Sequence, residues 1–98
     1  RTMIDLRFEW DARKSAANQR KHGVSFEEAQ SVFFDDRAIL VDDPDEDAED
    51  RFVLLGISAS LRTLVVCHCY RSNDRVIRII SARKAEPNER KRYEDGDD

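Results

Sequence analysis

In "MIDLRFEW", Ile4, Leu6 and Phe8 alternate with Asp5, Arg7 and Glu9, the two-residue period of a strand with one face buried. The period then breaks. Asp11 stands where it can cap a helix running to about His22, and Gly23 suits the left-handed position just past a helix end. Ala12, Ala16 and Gln19 make a poor apolar stripe, so this helix presents polar groups more than it buries apolar ones. "SFEE" predicts a second helix. Ser25 accepts from the amide of Glu28, Glu28 reaches back, and Val24 staples onto Ala29. This helix runs to about Phe34, with Phe26, Ala29 and Phe33 on the face that packs on the core.

From Arg37 the period is two. "AILV" from Ala38, "RFVLLGIS" from Arg51, "LRTLVVCHCY" from Leu61 and "RVIRIISARK" from Arg75 are four β-rich segments, and their turn-sized connections predict an antiparallel meander. In "EPNERKRYE", Pro87 sits where a helix start tolerates it, ahead of good helix formers. The predicted order is β-α-α-β-β-β-β-α. This is an α+β fold, with two N-terminal helices packed on an antiparallel sheet and a short C-terminal helix.

With 98 residues the chain fits one domain over 1–98. Arg1 and Thr2 read as preceding a natural start at Met3, and 95–98 as an acidic tail. No apolar run approaches the length of a membrane span and no signal peptide is evident, so no membrane association and a cytoplasmic location are expected. Cys67 and Cys69 would lie about 7 Å apart on one strand face, too far for a bridge, and read as free thiols.

The formal net charge of −4 conceals a division. "DDPDEDAED", from Asp42 to Asp50, and "EDGDD", from Glu94, hold eleven of the 21 acids. The remaining ten stand against all 17 bases, about +7 by formal count, so the body is basic with two acidic appendages. A basic body favours a polyanionic partner such as nucleic acid. Asp43, Asp45 and Asp47 take the first, third and fifth places of a calcium loop, but Ala48 and Leu54 stand where Gly and Glu are needed. Cys67, His68 and Cys69 do not by themselves form a tetrahedral metal site, and no cofactor is implied.

Helical spacing puts Lys14, Asn18, Lys21 and His22 on one side of the first helix. The helix dipole favours positive charge at a C-terminal end, so Arg20, Lys21 and His22 stabilise this one whatever else they do. His22 is also a candidate for proton transfer or phosphate contact.

"FEWDARKSAANQRKHGVSFEEA" from Phe8, "RFVLLG" from Arg51 and "RIISARKA…ER…YE" from Arg78, with the spacing W-D-x-x-K-x-x-x-N-x-x-K-H-G-V, resemble the BrnT family of toxins from bacterial type II toxin–antitoxin systems. The sequence departs from the family at "SASLR", where a Gly more often precedes the arginine, and at "CHCYRSND". The resemblance implies a RelE-like fold and a small ribonuclease that arrests translation by cutting RNA. It further implies neutralisation by a ribbon-helix-helix antitoxin, BrnA, in a hetero-oligomer that represses its own promoter and touches DNA through the antitoxin.

Metal-free RNA cleavage needs a base for the 2′-OH proton, cations for the phosphorane oxygens and an acid for the leaving 5′-oxygen. His22 and Tyr93 are candidates for proton transfer, with Lys21 or Lys14 as charge stabiliser or base. Arg78, Arg83 and Lys84 are candidates for phosphate, because arginine offers a rigid bidentate fork. Strict alternation puts Arg78 and Arg83 on opposite faces unless a bulge or the strand end intervenes, and an ion pair with Glu86 or a cap for a helix carboxylate is the plainer role for Arg83. Lys14 and Asn18 are candidates for RNA contact, and Arg90, Lys91 and Arg92 form either a patch that tracks its backbone or a solvated helix face. Trp10 is a candidate for base stacking or for the core. The acidic loop is either solvated or a contact for a basic stretch of the antitoxin. The alternative to an enzyme is an inactive relative that acts as an antitoxin-binding module in transcriptional autoregulation.

Overall fold

A computed structural model of the chain describes residues 6–41 and 50–96. Residues 1–5, 42–49 and 97–98 lie outside the described residues, and with them most of the acidic loop, the rejected calcium set and the last acids of the tail.

The elements follow the expected order. They are β1 (Arg7–Glu9), α1 (Ala12–His22), α2 (Phe26–Ser31), a 3-10 turn (Val32–Phe34), β2 (Ile39–Val41), β3 (Phe52–Ile57), β4 (Thr63–Arg71), β5 (Val76–Lys84) and α3 (Pro87–Asp95). Asp11 caps α1, its carboxylate accepting from the amides of Arg13 and Lys14, and Gly23 ends the helix at φ 71°. The expected single second helix is split, α2 tightening into the 3-10 turn at Val32.

Two expectations are corrected. The Ser25–Glu28 capping box is half made: Ser25 accepts from the Glu28 amide, but the Glu28 carboxylate turns to Arg62 and Ser58. The Arg62 hydrogen bond, ahead of the burial that opposes it, holds Glu28 below the usual carboxylate range. A reciprocal box closes instead at α3, between Glu86 and Glu89.

The sheet is mixed, not antiparallel. Its order is β1-β5-β4-β3-β2. β2 to β5 form the meander, but β1 pairs β5 in parallel, Phe8 opposite Ile77. The helices carry the chain from β1 across to the far edge, and the meander returns β5 beside β1 in the same direction.

Two apolar layers flank the sheet. On one face Val24, Phe26, Ala29 and Val32 pack on Leu54, Leu64, Val66, Ile79 and Ala82, with fully buried Phe26 contributing about 1.5–3 kcal/mol. The other face carries Val53, Leu55, Val65 and Ala85, partly covered by Ile39, Val41 and Tyr93. Among the described residues no helix is long and apolar enough to cross a membrane.

Candidate active site

A bulge in β5 builds this site. Cys67 faces Ser81 while His68 faces Ile79, so Ile80 is an extra residue that reverses the alternation. Arg78 opposite Cys69 and Arg83 opposite Val65 therefore share the face away from α1 and α2, which strict alternation forbids.

On that face lies a cleft of about 460 Å³. Val41, Val53, Leu55, Val65 and Cys67 form its floor; His22, Arg51, Ser81, Arg83, Asn88, Glu89 and Arg92 line the sides. The floor follows from period two in β2, β3 and β4. The wall on one side is α3, pinned by its own contacts: Arg90 donates to the Ala85 carbonyl and the Tyr93 hydroxyl donates to Asp35 at 2.6 Å. Arg83 makes the third tie, giving Nη1 to Glu89 Oε1 at 2.8 Å and Nη2 to Oε2 at 2.9 Å. These bonds raise the Arg83 pKa and, together with the Glu86 amide, hold Glu89 below its usual range despite burial. Of the two structural roles expected, the ion pair with Glu86 does not form, since Glu86 is the helix cap, while a carboxylate of α3, Glu89, is the partner. Of the five N–H donors of a guanidinium, Arg83 gives two to Glu89 and one to the Lys84 carbonyl at 3.3 Å.

His22 reaches the cleft because α1 docks against the bare edge of β5. β1 ends at Glu9, opposite Arg78, so it does not pair the last residues of β5. Asn18 takes over as a strand would: its Nδ2 donates to the Ala82 carbonyl at 2.8 Å and its Oδ1 accepts from the Ala82 amide at 3.1 Å. Nδ2 also donates to Val24 O at 2.8 Å, so both amide hydrogens are spent inside the protein. Asn18, expected as an RNA contact, is buried and clamps α1 to the sheet.

The other expected residues divide. His22 and Arg83 meet at the cleft, and Lys21 is exposed beside His22. Lys14 is exposed in the first half of α1, and Arg90 is exposed on α3. Lys84 pairs with Leu64 in register and so belongs to the helix-covered face. Arg78 binds Glu9 at 2.8 Å, on the cleft's face but beyond its lining. Trp10 packs edge-to-face on Phe26, centroids 6.3 Å apart, and joins the core. Tyr93 is half-buried, and burial first and Asp35 second push its pKa up to about 12, which suits an anchor better than an acid at neutral pH. Burial opposes ionisation of Asp35, but bonds from the Ile57 amide, Tyr93 and the Arg37 amide outweigh it and keep the carboxyl below its usual range.

Arg51, Ser81, Asn88 and Glu89 were not singled out from the sequence, whereas Arg92 belongs to the RNA-tracking patch expected on the last helix. A signal existed for Arg51, two residues before Val53 on a strand with period two, and for Glu89, three residues after a helix cap. Chemically, the arrangement sets cations around an apolar floor. It can grip an anion at the rim while a planar or apolar group lies on the floor, with the imidazole of His22 at the side.

A family model described as "Ribonuclease toxin, BrnT, of type II toxin-antitoxin system" matches residues 10–89. The fold is similar to the 1.1 Å crystal structure of the Brucella abortus ribonuclease toxin, BrnT, with a TM-score of 0.65 and 22% identity over 83% of this chain and 97% of that one. No curated protein matches the chain.

Proposed function

Because the chain belongs to the BrnT family of ribonuclease toxins of type II toxin–antitoxin systems, we propose that it cuts RNA in the cleft between β5 and α3, without a metal ion. The observation that carries this is the meeting of His22, Arg51 and Arg83 around one floor. The substrate phosphate lies against Arg83 and Arg51, whose guanidinium groups hold the non-bridging oxygens as charge builds on them. His22 takes the 2′-OH proton as the O2′–P bond forms. The P–O5′ bond breaks, the leaving oxygen is protonated by Lys21 or water, and the products are a 2′,3′-cyclic phosphate and a 5′-OH. Glu89 fixes the orientation of Arg83. Lys14 and Arg90 track the flanking backbone. In the cell this activity blocks translation, and a ribbon-helix-helix antitoxin neutralises it.

A second reading has its own observation. Glu89 engages Arg83 with both carboxylate oxygens, as expected if the pair is structural and the chain only binds its antitoxin.

The test is purified protein with a defined RNA in EDTA, the 5′ fragment's end being mapped. A cyclic phosphate end is expected from the unmutated chain. Arg83→Ala should cost about 10²–10³-fold and His22→Ala about 10²–10⁴-fold, with both variants folded, while Tyr93→Phe cleaves nearly as well as the unmutated chain. RNA left intact by a folded sample, with and without ribosomes, supports the binding module instead.

A further inference from the structure

The face opposite the cleft is covered at one end only. α2 and its 3-10 turn end at Phe34, and past them the sheet surface is open. Phe34 is 69% exposed, Leu40 57%, Phe52 41% and Tyr70 36%. A lone exposed hydrophobe is ordinary on a folded protein. These belong to one surface. Ring contacts run from Phe34 to Phe8 at 6.1 Å, Phe8 to Phe33 at 5.3 Å, Phe33 to His68 at 4.8 Å, His68 to Tyr70 at 5.4 Å and Tyr70 to Phe52 at 5.3 Å. Leu40, opposite Leu54 in register, faces the same side. The exposed rings are joined beneath the surface by the partly buried Phe8 and Phe33 and the fully buried His68; exposed aromatics gathered on one face mark an interaction site, since aromatics dominate the energetic centres of protein interfaces.

Its charge selects the occupant. A hollow of about 390 Å³ beside the rings is lined by Asp50, Phe52, Tyr70 and Asp74, so every charged group on its lining is acidic. Two nearby cations are engaged elsewhere: Arg51 lines the cleft on the other face, and Arg71 lies 3.6 Å from Glu9, while the exposed Arg75 follows Asp74 in the chain. In the sequence, Asp50 is preceded over 42–49 by six acids and no base. Such a surface repels RNA phosphates and attracts a basic protein segment.

We propose that this aromatic, acid-rimmed face is the docking surface for a basic, amphipathic segment of the protein that neutralises the chain, apolar side chains on the rings and cations toward Asp50 and Asp74. The assignment rests on the toxin reading for the partner's identity. It separates two jobs by face: RNA in the cleft, the protein partner on the rings.

The experiment titrates the product of the adjoining gene into the full chain, carrying Arg83→Ala so that it can be produced, with and without Phe34→Ser plus Leu40→Ser. Both positions are well exposed, and a melting curve checks that the fold is kept. Affinity should fall at least about 30-fold. Asp50→Asn plus Asp74→Asn should weaken binding and flatten its dependence on salt. In an otherwise unmutated chain, the Phe34/Leu40 variant should cut RNA normally and no longer be neutralised. Unchanged affinity in both variants overturns the proposal. So does loss of RNA cleavage in the Phe34/Leu40 variant, or conversion of a dimer to a monomer with binding of the adjoining protein intact. An unmutated chain that neither arrests growth nor cuts RNA overturns the toxin reading separately, since the titration is read without either activity.

Discussion

His68 is a core residue that the sequence left unassigned. Its side chain is fully buried, Nδ1 is 3.3 Å from the Val66 carbonyl, and Nε2 has no partner. Burial lowers its pKa from 6.5, the Val66 carbonyl opposing only weakly. The folded state therefore binds the proton less readily than the unfolded one, so stability is full above pH 6.5 and is lost as pH falls below it. Urea midpoints measured from pH 8 to pH 5 should stay level and then decline, and His68→Phe should flatten the decline. Glu28, Asp35 and Glu89, all held below the usual carboxylate range, titrate below this window. Leu61 offers a second residue-scale case. It is 84% exposed with φ 63°, a left-handed conformation that costs a residue with a Cβ about 1–2 kcal/mol. This is the turn where a glycine was expected from the family pattern. Leu61→Gly should stabilise by about 0.5–1 kcal/mol after the entropy glycine adds to the unfolded chain, seen as a raised melting temperature.

Among elements, the docking of α1 depends on one amide. α1 buries Ser15 and Asn18 along its length, so packing alone holds it weakly. Ser15 Oγ accepts from the Phe26 amide at 3.2 Å, and Asn18 bridges Ala82 and Val24. Asn18→Ala leaves the buried Ala82 and Val24 groups unpaired and should cost at least about 2 kcal/mol. Denaturation measures that cost, and loss of RNA cleavage should follow the displacement of His22. The strands and helices were legible because periodicity and capping are local. Asn18 was read as a surface residue because its partner is a strand edge 64 positions away that is bare only where β1 ends.

At the scale of the whole molecule, charge and topology act together. The cations of the cleft and of exposed α1 lie apart from the acidic hollow, so RNA affinity should fall as salt rises, by about 0.7 log units per tenfold salt for each phosphate contact. Arg51→Ala should reduce that slope by about one contact, measured by anisotropy with an RNA lacking the reactive 2′-OH. Local chemistry made the order of elements, the caps at Asp11 and Ser25, the meander and the family motif readable, since each depends on neighbours within a few residues. The parallel pairing of β1 with β5, the bulge at Ile80 that turns Arg83 toward His22, the Glu89 clamp and the aromatic face each join distant positions. Those pairings depend on which strand edges and faces remain unfilled once the helices have packed, and only the folded chain decides that.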